Sequence, residues 1–235
     1  MIFGAILAGG TGTRMQMENM PKQFLPLGDK PIIIHTLEKF LLCARFDAIV
    51  LGVHPSWLTY MRDLLDKYIV QKEKVRIIAG GEDRNSTLFN VADGIEQEFG
   101  EDDSHIIVTH DAVRPFISLR IIEENIDCAL SFGACDTVLP ATDTIVESAD
   151  GSIISSIPLR RNMYQGQTPQ TFGLKLLKTL YNKLTDSEKE ELTDACKIYV
   201  MNGEPVRLVM GDYSNFKITT INDYKTAQAM VGELG

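Results

Sequence analysis

Short apolar runs alternate with amphipathic stretches from the first residues onward. Ile2 to Leu7, Ala48 to Val53, Val75 to Ala79 and Ile106 to Thr109 are each of strand length and almost wholly apolar, the pattern of strands buried on both faces. Between them, about Ile32 to Cys43, Ser56 to Tyr68 and Ser86 to Phe99 carry apolar residues at helical spacing. Each is long enough to cross from one parallel strand to the next. Leu119 to Phe132 adds a further helix. This rhythm predicts an α/β fold, a mostly parallel sheet with helices on both faces.

The rhythm breaks between about Leu139 and Gln165. Asp143 to Glu147 and Ser152 to Ile157 read there as two short strands around an Asp150-Gly151 turn. Such a hairpin has little core of its own, so it is expected to project or to pack on a second subunit. Beyond it, Leu174 to Leu184 and Ser187 to Met201 predict helices, Val206 to Met210 a strand, and Asp223 to Val231 a last helix.

The 235 residues suit one large domain or one domain with a modest appendage. With 44% hydrophobic and 23% charged residues the composition is that of an ordinary globular protein. Charge changes the picture more. There are 23 basic against 32 acidic residues, a net charge of -9, so no nucleic acid or anionic membrane partner is expected, and any phosphate must be bound locally. No apolar run reaches the length of a membrane span. The segment Met1 to Gly10 lacks a basic leader and reads as the first core strand. Cys43, Cys128, Cys135 and Cys196 show no C-x-x-C spacing, which predicts reduced, buried thiols and a cytoplasmic location. Neither H-E-x-x-H nor G-x-S-x-G is present, which leaves metalloprotease and serine-hydrolase chemistry without support.

Four segments carry candidate chemistry. Leu7-Ala8-Gly9-Gly10-Thr11-Gly12-Thr13-Arg14 follows the first strand. Its glycines let backbone N–H groups approach an anion, or they make a tight strand-to-helix turn. Met15 stands where a dinucleotide fingerprint needs glycine, and the P-loop pattern is missing. Arg14 and Lys22 flank the loop, suiting a triphosphate whose departing pyrophosphate gains charge, or a solvated surface. His110 to Pro115 ends a strand, where open parallel sheets bind ligands. Asp111 there suits Mg²⁺ or a turn-closing acceptor. Gly80 to Thr87 opens a helix, with Asn85, Ser86 or Thr87 as cap or as reader of a base or ribose. Lys217 lies in an expected short strand near the C-terminus.

In this order, together with Pro21-Lys22-Gln23-Phe24, Thr168-Pro169-Gln170 and Thr193-Asp194, these segments resemble the bacterial cytidylyltransferases that act on methylerythritol phosphate and ribitol 5-phosphate. Leu-Ala-Gly-Gly at the first loop, Gln165 to Phe172 and Thr193 to Lys197 look more like the ribitol-phosphate branch. The other branch has Ala-Ala-Gly at the loop and Val-Asp-Arg where this chain reads Pro158-Leu159-Arg160. The resemblance implies a Rossmann-like three-layer sandwich, one nucleotidyltransferase domain over 1–235, and a projecting arm at about 139–165 that pairs two chains as a homodimer.

It further implies cytidylyl transfer from CTP to a polyol phosphate, ribitol 5-phosphate first, giving CDP-ribitol and pyrophosphate for teichoic-acid or related polymer synthesis. Methylerythritol phosphate, or another sugar phosphate with its own nucleotide, is the alternative. Leu7, Ala8, Gly9, Gly10, Gly12, Gly80, Gly81, Asp83, Ser86 and Thr87 would wrap CTP, while Arg14 and Lys22 would stabilise phosphate charge and Asp111 would hold Mg²⁺. Arg160, with Arg161 beside it, and Lys217 would position the acceptor phosphate, with Arg114, Thr144, Thr168 and Thr193 around it. A reductase that supplies ribitol 5-phosphate is the implied partner. The physics agrees: bringing two anions together for in-line displacement needs positioning and positive charge more than covalent help.

Overall fold

Period-two burial in the first strand decides the layering. In β1 (Ile2–Ala8), Phe3, Ala5 and Leu7 face one hydrophobic core while Ile6 and Ala8 face the other. The computed structural model describes residues 1–10 and 20–233 of the chain. After β1 come a two-residue ladder, β2 (Pro26–Leu27) with β3 (Lys30–Pro31), then α1 (Ile32–Leu41), β4 (Ala48–Val53), α2 (Leu58–Tyr68), β5 (Val75–Ala79), α3 (Arg84–Phe99) and β6 (Ile106–Asp111). The second half holds α4 (Leu119–Phe132), β7 (Ala134–Pro140), β8 (Tyr164–Gly173), α5 (Leu174–Lys183), α6 (Asp186–Glu190), α7 (Cys196–Met201), β9 (Arg207–Met210) and α8 (Ile221–Glu233).

Seven strands form one sheet in the order β5-β4-β1-β6-β8-β7-β9. Every pairing is parallel except those of β8, which runs antiparallel to both β6 and β7. Apolar residues of α1, α2 and α4 cover one face and those of α3, α5 and α7 the other. A smaller cluster of Leu25, Leu27, Ile32, Val113, Ile218 and Ala227 seats α8. The order reverses direction around β1 and β6, so the carboxyl ends of these two strands open a crevice, the usual ligand position in sheets of this kind.

The expected α/β architecture is what forms, with four differences in detail. β7 and β8 are strands that apolar periodicity does not reveal: β8 buries Gln167, Thr168, Gln170 and Thr171 rather than an apolar run. The helix expected over Ser187 to Met201 is two helices, because Thr193-Asp194 interrupts it and the Asp194 carboxylate accepts the Cys196 N–H at 2.8 Å. Side-chain acceptance of this kind competes with the helix ladder. The excursion between β7 and β8 forms no pair of strands. A single bridge joins Glu147 to Ser156 around the Asp150-Gly151 turn, where Gly151 takes φ 73° and Asp150 Oδ1 accepts the Ser152 and Ile153 N–H groups. Lys217 sits in an irregular segment rather than a strand. Among the described residues no helix is long and apolar enough to cross a membrane.

Candidate functional site

The glycine turns after β1 and β5 meet over one threonine. Thr87, in the first turn of α3 and fully buried, accepts the Gly81 N–H at 3.0 Å and donates to the Asp83 carbonyl at 2.7 Å. A Cβ on Gly9 would lie 2.1 Å from its hydroxyl oxygen, so glycine is required there by close approach and not only by turn geometry. Asp83 and Ser86 close a reciprocal capping box at the start of α3. Both side chains thereby shape the loop. Gln23 clamps the other side: its amide donates to the carbonyls of Ala8 and Gly10 at 2.9 and 3.0 Å. Gly10 is exposed, with open space where a side chain would be.

Below these loops is a cleft of about 430 Å³, lined by Leu7 to Gly10, Lys22, Arg84, Thr87, Asp111 and Lys217 among others. Its floor is the Asp111 carboxylate. Oδ1 accepts from Arg84 Nε at 3.1 Å, and Oδ2 from Arg114 Nε at 3.3 Å and Lys217 Nζ at 2.9 Å. Burial opposes its ionisation, but Arg84, Lys217 and Arg114 together hold the carboxyl well below the usual carboxylate range.

Thr168 and His110 support the Asp111 backbone from beneath. Thr168 Oγ1 accepts the Asp111 N–H at 3.2 Å and lies 2.8 Å from His110 Nδ1. The other ring nitrogen faces the Arg114 carbonyl, so the tautomer that satisfies both ends is protonated at Nε2, with the Thr168 hydroxyl donating to Nδ1. Burial lowers the His110 pKa to about 3. The imidazole is therefore a neutral structural link at ordinary pH.

A carboxyl pair, Asp136 and Asp194, lies behind the hub. Gln170 Nε2 donates to Asp136 Oδ1 at 3.1 Å and to Asp194 Oδ2 at 2.6 Å, while its Oε1 accepts from Arg84 Nη2 at 3.2 Å. Burial and the charge of Asp194 raise the Asp136 pKa to about 7. Asp136, Asp194 and Cys196 have the spacing of a metal cluster. However, the Gln170 amide already donates to both carboxylates, and burial pushes the Cys196 thiol up, so the trio suits a cation poorly. Asp111 fits a divalent ion better. Oδ1 has the Arg84 contact alone among the described residues, and one carboxylate plus substrate phosphate oxygens is an ordinary Mg²⁺ donor set. With three cations around it, such an ion would need to arrive with the anionic nucleotide.

The structure gathers Leu7, Ala8, Gly9, Gly10, Lys22, Thr87, Asp111 and Lys217 at one cleft. Gly80 and Gly81 pack beside it against Thr87 and Ser86. Gly12 and Arg14 lie outside the described residues. Thr168 is buried with its hydroxyl bonded to Asp111 and His110, and Arg114 is buried between Asp111 and the Asn215 carbonyl. Both hold Asp111 rather than facing the cleft mouth. Thr144 and Arg160 are exposed on the arm, where Arg160 Nη1 donates to the Thr142 carbonyl, and Thr193 is exposed before α7. None of these three lines the cleft. Sequence reasoning left Gln23, Arg84, Gln170 and Asn215 out of the expected site. Arg84 carried a signal: a cation in a helix's first turn opposes the helix dipole, so it needs a partner elsewhere.

The family model described as IspD, 2-C-methyl-D-erythritol 4-phosphate cytidylyltransferase, matches residues 2–233. The chain is 53% identical over 232 residues to a ribitol-5-phosphate cytidylyltransferase of Streptococcus pneumoniae serotype 2, covering 98% of this chain and 99% of that one. Among solved structures it is similar to 4-diphosphocytidyl-2C-methyl-D-erythritol synthase of Anaerococcus prevotii, with a TM-score of 0.81 and 27% identity over 98% of both chains. The Francisella tularensis 2-C-methyl-D-erythritol 4-phosphate cytidylyltransferase shares the fold, with a TM-score of 0.79, 22% identity, and coverage of 97% of this chain and 98% of that one. Glycine loops, a cation-ringed carboxylate and near-complete coverage by one family therefore agree, and this chain belongs to the IspD cytidylyltransferase family of CTP-dependent nucleotidyltransferases.

Proposed function

We propose that the protein transfers the cytidylyl group of CTP to D-ribitol 5-phosphate, releasing pyrophosphate and forming CDP-ribitol for a teichoic-acid or related polymer. The observation that carries this reading is the 53% identity, over nearly the full length of both chains, to a protein named for that reaction. The cationic cleft supplies the chemistry. An acceptor phosphate oxygen attacks the α-phosphorus and the bond to pyrophosphate breaks, so negative charge builds on the leaving group. Lys22, from the segment Lys22–Phe24, lines the cleft where that charge builds, and a fixed cation in a partly dry site stabilises it without reorganising; Lys217, on the same cleft, is assigned to the acceptor phosphate. Arg14 is assigned the same task as Lys22 from its place in the loop. Backbone groups of Leu7 to Gly10 and Gly80 to Thr87 enclose the nucleotide. Asp111 would hold a divalent ion, which would supply charge neutralisation at the phosphates.

Arg160 and Thr144 are exposed on the arm, outside the cleft of their own chain. They are assigned to the acceptor site of a second copy. In support, the arm displays Ile153, Ile154, Ile157 and Leu159 to solvent, between 56% and 71% exposed, a patch of the kind that homodimers cover. A reductase that makes ribitol 5-phosphate is the corresponding partner, and the cytoplasm, where CTP is made, the corresponding location.

The test is pyrophosphate release with CTP, Mg²⁺ and a panel of polyol phosphates. Release with ribitol 5-phosphate supports the proposal. Release with methylerythritol 4-phosphate alone would transfer the assignment to the acceptor named by the family model and by the solved structures.

A further inference from the structure

Both neighbours of Thr193 are tied down from the interior. The Leu192 carbonyl accepts the Asn85 side-chain amide at 2.9 Å. Asp194 accepts from Gln170 through one carboxylate oxygen and from the Cys196 N–H through the other, at 2.6 and 2.8 Å. Thr193 stands exposed between these two tethers. α7 already packs Ile198 and Tyr199 into the core, so the connection from α6 has apolar anchoring of its own, and buried polar groups, which cost desolvation, stabilise a fold less than apolar packing does.

The tethers lead back to the reaction site. Asn85 and Arg84 are consecutive at the start of α3. Arg84 divides its guanidinium between Asp111 through Nε and Gln170 through Nη2. Gln170 is fully buried, and its amide has one orientation only. Turned over, its oxygen would face the carboxylates of Asp136 and Asp194 while its N–H groups met the guanidinium. A continuous chain of contacts thus runs from Asp111 through Arg84 and Gln170 to Asp194. Arg84 Nη1 is buried with no partner among the described residues, which marks this guanidinium as aimed by its other two contacts rather than by saturation of its donors.

We propose that Gln170 and Asn85 are positioning residues that hold Thr193 at a fixed distance from the Asp111 hub, and that they act on the acceptor phosphate and not on CTP. The inference rests on the cytidylyl-transfer reading and on the acceptor role that the resemblance implies for Thr193.

Two variants test it, Gln170→Met, which fills the same space without bridging, and Asn85→Ala. In pyrophosphate release with each substrate varied in turn, either variant is expected to raise the KM for ribitol 5-phosphate tenfold or more while the KM for CTP moves less than twofold. A parallel rise in both constants, or an unchanged acceptor KM, would overturn the proposal. Hydrogen exchange of the unliganded chain supplies a readout that needs no substrate: amides 193–197 should exchange at least tenfold faster in Gln170→Met, with β1 and β6 unchanged. Unaltered exchange there sinks the proposal even if the variant is impaired, and general acceleration means that the residue serves only the fold. Should wild-type protein use no polyol phosphate in the panel, the functional reading fails, while the exchange experiment still decides whether the tether exists.

Discussion

Asp111 concentrates the electrostatics of the site in one side chain, and its three cations depend on it as much as it does on them. Removing the charge with Asp111→Ala leaves Arg84, Arg114 and Lys217 facing one another, and breaking a buried pair from one side typically costs about 3–5 kcal/mol. Urea unfolding should show that loss alongside abolished turnover. Lys22→Ala should behave differently. If its ammonium acts on charge that appears as pyrophosphate leaves, kcat falls about 100-fold or more while the KM for CTP changes little. Equal loss in both would mean that it serves ground-state binding. Beneath the hub, Thr168→Val removes a hydroxyl that serves both the Asp111 N–H and His110. Unsatisfied buried groups cost about 1–3 kcal/mol each, and Thr168→Ser should recover most of it. Asp136 gives a pH signature. Its pKa is about 7 in the folded chain, above its unfolded value of about 3.9. Stability from the bound proton is complete below pH 4 and is lost as pH rises through 7. Asp136→Asn should therefore be the more stable protein at pH 8, by an amount on the order of 1–3 kcal/mol, with the gap closing near pH 5 in thermal melts.

At the level of elements, what could be read from the chain depended on whether a strand or helix is held by apolar contacts. β1, β4, β5 and β6, together with α1 to α4, are buried through Ile, Val, Leu and Phe, and their periodicity shows in the sequence. β8 is held otherwise. Its interior positions are Gln167, Thr168, Gln170 and Thr171, each satisfied by a partner distant in sequence such as Asp212, His110, Asp194 or Asn125. No local pattern encodes such pairings, so both the strand and the link that Gln170 makes between Arg84 and two carboxylates escape a linear reading. The break between α6 and α7 was likewise concealed, because Asp194 interrupts an otherwise helical spacing through a single side-chain contact. The glycine loops were visible as a motif, but the reason for them was not: Gly9 is required by Thr87, which lies far along the chain. Gly9→Ala should displace the loop or α3 and weaken CTP binding at least tenfold, measured by calorimetry, with the sheet retained by circular dichroism.

Across the whole molecule, the sequence correctly placed the crevice at the ends of β1 and β6 and the excursion near residues 139–165. It did not show that acceptor-side candidates separate into two groups, Arg114 and Thr168 buried under the hub, Thr144 and Arg160 exposed on the arm. If the arm's apolar face is covered by a second copy, Ile157→Asp with Leu159→Asp should yield monomers by sedimentation. Their turnover should be low, with CTP binding preserved.

The ring of positive groups around Asp111 sits in a chain with an overall charge of -9. A nucleotide is therefore repelled at long range and attracted only within the mouth of the cleft. Added salt screens both fields, the distant one first, since the Debye length is about 8 Å at physiological ionic strength. The rate of CTP capture should consequently change little, or even rise, over the first increments of salt and fall only at higher concentrations, whereas an enzyme with a uniformly basic surface would lose speed from the start.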